Sequence, residues 1–103
     1  MIADDLKFLL AHTHQQVKVT LPGPMTVVDS TVDAYYGDEK AFGFAWADAV
    51  NREARLLEAL GADIIQFDEP VFSRYPDRCE DWGIAALNRA CAGLKTKPAV
   101  HIC

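Results

Sequence analysis

Hydrophobic positions along the 103-residue chain recur at two periods, one near four and one near two, and the switches between them delimit the predicted elements. From Ile2 to about His12, the residues Ile2, Leu6, Leu9 and Leu10 fall on one side, with Asp4 and Asp5 in the first turn. That pattern predicts a short amphipathic helix. "QVKVTLP" comes next, with Val17, Val19 and Leu21 alternating against polar neighbours, and Pro22-Gly23-Pro24 ends this strand because prolines cannot continue a ladder. The stretch from Thr26 to Gly37 mixes a helical turn with loop chemistry, and Asp38 is placed to cap the next helix. That long helix is predicted from Glu39 to Leu60, with Phe42, Trp46, Val50, Ala54 and Leu57 as its apolar face and Gly61 as its stop. "ADIIQFDEP" is a compact apolar strand closed by acids and a proline. A further helix runs from Asp77 to about Leu94, with Trp82, Ala86, Ala90 and Leu94 in register, and "AVHIC" is the third strand.

The predicted order is therefore α-β-α-β-α-β. Strands separated by helices of this length cannot be hairpins, so they run parallel with right-handed crossovers, an α/β arrangement. Three polar clusters, Pro22-Gly23-Pro24, Asp68-Glu69-Pro70 and His101 with Cys103, all lie at the ends of strands. The carboxyl ends of parallel strands are where α/β folds assemble their chemistry, in open sheets and in barrels alike.

Composition changes this picture little. The length suits one domain, covering residues 1–103, and half the residues are hydrophobic with about a quarter charged, as in ordinary globular proteins. A net charge of −5 argues against a nucleic-acid or anionic-membrane surface, and no apolar stretch approaches a bilayer span. "MIADDLKFLL" has no basic start or small-residue cleavage site of a secretory signal, so the expected location is the cytoplasm. Three cysteines, an odd number, argue for reduced thiols rather than a disulfide framework. Cys91 reads as a buried inert thiol inside a helix. Cys79 reads as a surface residue at a helix start, where its thiol pKa would be lowered somewhat.

Asp68 and Glu69 are adjacent on a strand, so their side chains point in different directions. One is free to face a site while the other anchors the neighbouring loop, or both are solvated or helix-capping acids; Pro70 fixes the chain beyond them. His101 and Cys103, two residues apart, share one strand face. An imidazole and a thiolate suit zinc, and the alternative is a core histidine beside a small buried cysteine. His12 and His14 end the opening helix at the opposite edge and read as exposed polar residues. Gly23 permits close backbone approach or a simple tight turn, and Lys18 reaches either a barrel interior or solvent.

Taken together, "KVTLPGPMT", "YYGD", "LGADIIQFDEP" and "VHIC" resemble the catalytic domain of cobalamin-independent methionine synthase, from about Val17 to Cys103. "IIQFDEP" matches the family's I-Q-x-D-E-P, while "LPGPMT" departs at two positions from L-T-G-P-V-T and keeps its Gly-Pro. The segment from Val71 to Leu94 is similar to the shorter relatives that lack an amino-terminal folate-binding half. The resemblance implies part of a (β/α)8 TIM barrel, here about three parallel strands, with zinc as cofactor at the carboxyl-end face. It implies His101 and Cys103 as zinc ligands, and Asp68, with Glu69 in support, at the homocysteine site. It also implies transfer of a methyl group to homocysteine, forming methionine, from methyl-tetrahydrofolate or a methyl-corrinoid protein. The family's other ligands, a glutamate and a second cysteine, lie downstream of its His-x-Cys. The expectation is thus an incomplete zinc site, no activity from this polypeptide alone, and self-association through open sheet edges. The alternatives are zinc-dependent alkyl transfer to another thiol, or a non-catalytic barrel remnant acting as an interaction module. Uroporphyrinogen decarboxylase shares the barrel but has no role for a His-x-Cys.

Overall fold

The alternating periods are realised as helices layered on one face of a three-stranded sheet. A computed structural model describes residues 2–13, 15–30 and 39–102. Helix α1 (Ile2–Ala11) leads to β1 (Lys18–Pro22), α2 (Pro24–Ser30), the long α3 (Glu39–Leu60) and β2 (Ile64–Asp68). Two short helices come next, α4 (Val71–Arg74) and α5 (Pro76–Arg78), then a π-helical turn (Cys79–Gly83), α6 (Ile84–Ala90) and β3 (Lys97–His101). The strand order is β1-β2-β3 and both pairings are parallel, as the α-β-α-β-α-β reading requires.

Strand alternation divides the sheet sharply. Val17, Leu21, Ile65 and Phe67 are buried beneath the helices. Lys18, Thr20, Gln66, Asp68, Lys97, Ala99 and His101 lie on the other face, exposed or half-buried. The register puts Pro22, Asp68 and His101 in one row, so the three strands end level.

Polar contacts set that register. The Asp63 carboxylate accepts the Val17 N–H at 2.8 Å, and the Val17 carbonyl accepts the Asp63 N–H at 2.9 Å, which aligns the starts of β1 and β2. On α3, the Asn51 amide donates to the carbonyls of Ala90 and Ala92, closing the end of α6. Further along the same helix, the Glu58 carboxylate accepts the N–H groups of Lys95 and Thr96, each at 2.7 Å, at the entry to β3. The hydrogen bond from the Thr96 N–H leads the contacts that lower the Glu58 pKa.

Two elements differ from their predicted form. The buried face of α3 is Gly43, Ala47, Val50, Ala54 and Leu57. At its amino-terminal half the small residues turn inward, while Trp46 is 37% exposed. The reason is Trp82, which is 1% exposed and lies against Gly43, where a methyl group would overlap its ring. The helix expected from Asp77 to about Leu94 is present as a continuous helical stretch over residues 76–90, with a π-helical turn at Cys79–Gly83 inside it. Tyr75 takes φ −132° and ψ 71° before Pro76, because a residue preceding proline is disfavoured in helix, and this separates α4 from α5. Its predicted apolar face nonetheless holds, with Trp82, Ala86 and Ala90 all in the core. Gly61 and Gly93 adopt φ of +113° and +76°, which glycine tolerates, and they end α3 and the turn after α6.

β3 is an edge strand. Val100 and Ile102 are about half exposed, and with Phe72, Ile84 and Leu87 they line an open apolar groove on the helix side of the sheet.

A Gly→Ala change inside a helix ordinarily stabilises it by about 0.5–1 kcal/mol. At Gly43 the sign should reverse, with Gly43→Ala destabilising by about 1–3 kcal/mol through overlap with Trp82 and Trp46→Ala costing less. Urea unfolding followed by far-UV circular dichroism measures both.

Candidate functional site

The row of strand ends is held together by backbone hydrogen bonds. The Gly23 N–H donates to the Asp68 carbonyl at 2.8 Å, and the Glu69 N–H donates to the His101 carbonyl at 2.9 Å. The exits of all three strands are thereby fixed relative to one another.

The adjacent carboxylates take opposite roles, as alternation demands. Glu69 points to the helix side and is 0% exposed. Its Oε1 accepts the Thr26 N–H at 2.9 Å and its Oε2 the Met25 N–H at 3.3 Å. These N–H groups belong to the first turn of α2, where a capping side chain normally supplies the acceptor. Gly23 has no side chain to cap with and Pro24 has no N–H to satisfy. Glu69 supplies the missing oxygen from the end of β2, and it fits only because Gly23 lacks a Cβ, which would overlap the Glu69 carboxyl. Gly23 is therefore a close-approach glycine. Burial pushes the Glu69 pKa up, and the hydrogen bonds from Thr26 and Met25 offset part of that rise.

Asp68 points to the open face, with its side chain 35% exposed. Its Oδ1 accepts a hydrogen bond from Gln66 Nε2 at 2.8 Å and lies 3.5 Å from His101 Nδ1. The His101 imidazole is 57% exposed on this face. Cys103, its predicted partner, lies outside the described residues. Among the described residues, no group of three or more His, Cys, Asp or Glu side chains is arranged to hold a metal ion.

Gln66 makes a site contact that the hydrophobic pattern does not single out. The signal is nonetheless present, since a polar residue two places before Asp68 in the otherwise apolar "IIQFD" must share its face. The other candidates sit apart. His12 is exposed in the turn just after α1, stacked on Phe8 with ring centroids 4.2 Å apart; His14 lies outside the described residues. Cys91 is half-buried at the carboxyl-terminal cap of α6 rather than inside the helix, and burial raises its thiol pKa. Cys79 opens the π-helical turn, and its pKa is raised, not lowered. Burial is the main cause, with the Glu69 and Glu80 carboxylates adding to it. The chain contains no helix, among the described residues, long and apolar enough to cross a membrane.

Removing the Glu69 carboxylate strands two buried N–H groups and leaves a cavity, so Glu69→Ala should cost about 3 kcal/mol or more in chemical denaturation. Because the folded state raises the Glu69 pKa, it binds more protons than the unfolded chain just above the ordinary glutamate range. The Glu69 contribution to stability is therefore fully present below that range. It falls as pH rises towards the folded pKa, and denaturation midpoints across this window should show a decline that Glu69→Ala lacks.

Comparison with known proteins extends this geometry. The sequence matches the family described as cobalamin-independent synthase, catalytic domain, over residues 5–103. It is 33% identical to the methionine synthase of Thermococcus kodakarensis over 104 residues, covering 100% of this chain and 31% of that protein. It is 40% identical to the methionine synthase of Saccharolobus islandicus strain Y.G.57.14 over 89 residues, covering 84% of this chain and 26% of the relative. Among solved structures it resembles a B12-independent methionine synthase from Shewanella sp. W3-18-1 in complex with selenomethionine. The TM-score is 0.96 at 48% identity, covering 100% of this chain and 30% of the other. The chain thus spans less than a third of the length of these relatives, and its three parallel strands correspond to part of a TIM barrel. With the match running over nearly its whole length, the chain belongs to the family of cobalamin-independent methionine synthase catalytic domains.

Proposed function

We propose that this chain forms one side of the active site of a zinc-dependent methyltransferase. In that reaction a methyl group passes from methyl-tetrahydrofolate or a methyl-corrinoid protein to the thiol of homocysteine, forming methionine. The observation that carries this reading is the pairing of Asp68 with His101 across adjacent parallel strands, at the sheet edge where α/β folds bind ligands. The selenomethionine in the Shewanella neighbour agrees in chemical class with the proposed product.

The donor types fit zinc. An exposed imidazole at His101 and a thiol two residues further on are the nitrogen and sulfur ligands that zinc favours. They fit half of a four-coordinate site, with Cys103 as the second ligand. Zinc held there by His101 and Cys103 would lower the pKa of a substrate thiol, ordinarily about 8.5, and so would supply its nucleophilic form at neutral pH.

The remaining work falls to the side chains beside it. Asp68 offers a half-exposed carboxylate to the substrate ammonium, which fixes the amino acid at one end and lowers the entropic part of the barrier. Gln66 holds the Asp68 Oδ1 in place. Glu69 is a positioning residue: buried under the sheet, it ties α2 to β2 and supports Asp68 without touching substrate. The half-exposed Val100 and Ile102, and the outer edges of β1 and β3, which pair with no strand among the described residues, favour association of the isolated chain with its own copies.

Equilibrium dialysis against zinc should show binding weaker than the roughly 10–16 kcal/mol of complete structural sites, and His101→Ala should abolish it. Identical zinc uptake by the His101→Ala chain would overturn the ligand assignment. In size-exclusion chromatography with light scattering, the mass should rise with concentration, and a constant monomer mass would sink the association.

A further inference from the structure

We propose that Gln66 is a positioning residue for His101: acting through Asp68, it fixes which ring nitrogen carries the proton and therefore which nitrogen is presented to a metal. The inference rests on reading His101 as a ligand, but its geometry is independent of any metal. Gln66, Asp68 and His101 share the open face of the sheet. Gln66 lies two residues before Asp68 on β2, and His101 is the register partner of Asp68 on β3.

Both contacts converge on one atom. Gln66 Nε2 donates to Asp68 Oδ1 at 2.8 Å, and the same oxygen faces His101 Nδ1 at 3.5 Å. An ionised carboxylate only accepts hydrogen bonds, so a neutral imidazole facing it is stabilised with its proton on Nδ1. The lone pair is then on Nε2. A half-exposed carboxylate left to itself turns about its terminal torsion, which is broad and shallow. The Gln66 amide removes that freedom. Neither contact uses Oδ2, which leaves one oxygen of Asp68 for a substrate ammonium.

The test is a two-bond proton–nitrogen NMR correlation on the 15N-labelled, metal-free chain at about pH 8.5, where an ordinary histidine is neutral. The His101 signals are assigned with His101→Gln. The expected result is a mainly Nδ1-protonated His101 in the native chain. It should become mainly Nε2-protonated in Gln66→Met, which keeps the bulk without the donor, and in Gln66→Glu, which replaces the donor with a repelling acceptor. His12 and His14 should not change. A native His101 protonated mainly on Nε2, or an unchanged tautomer in either folded variant, would overturn the proposal. Because this readout needs no zinc, its failure is distinguishable from failure of the zinc assignment, which dialysis decides.

Discussion

The buried carboxylate of Glu69 at the first turn of α2 is the contact on which the rest of the site depends. An acid with no exposure is tolerated only where hydrogen bonds replace its water, and here two backbone N–H groups do so. The arrangement needs three residues at once. Gly23 must have no side chain, Pro24 must need no acceptor, and Glu69 must arrive from another strand. Because α2 comes directly after β1, capping it from β2 locks the exits of both strands. The Gly23 to Asp68 and Glu69 to His101 backbone bonds extend that lock across the sheet. The position of Asp68 relative to His101 is therefore set from beneath, by groups that no substrate reaches.

A second constraint acts from α3. Asn51 and Glu58 sit on one side of that helix and hold, respectively, the end of α6 and the entry to β3. The loop between α6 and β3 is thus pinned at both ends to one rigid rod. This matters because, among the described residues, β3 pairs on one side only and buries little of its own surface. The register that puts His101 level with Asp68 comes from β2 and from α3, rather than from packing of β3 itself.

Much of this is legible from the residues. The strand positions, the parallel order and the placement of Asp68 and His101 at strand ends come from period-two runs interrupted by Pro and acids. The opposite directions of Asp68 and Glu69 come from alternation alone. Which acid is buried does not, because that depends on Gly23, far upstream in sequence and adjacent only in the fold. The inward face of α3 escapes the pattern for a related reason. Hydrophobicity ranks Phe42 and Trp46 above Gly43 and Ala47, yet the close approach of Trp82 selects for the absence of volume. The π-helical turn likewise leaves no mark in a hydrophobic period. Gln66 is visible as a polar residue on an apolar strand, but its value appears only once Asp68 is known to face the same way.

The two carboxylates also show why neighbouring acids cannot exchange roles. Glu69 is poorly suited to meeting an ammonium, since burial raises its pKa and both oxygens are already occupied by N–H groups. Asp68 remains half-exposed with one oxygen uncommitted by Gln66 and His101. A similar geometric limit applies to the metal. Same-face positions on a strand are about 6.6 Å apart, so two such residues can reach one ion while a third, about 13 Å from the first, cannot. A single strand therefore offers at most two donors to one ion. A four-coordinate ion held at His101, as proposed, would draw its other donors from a different element.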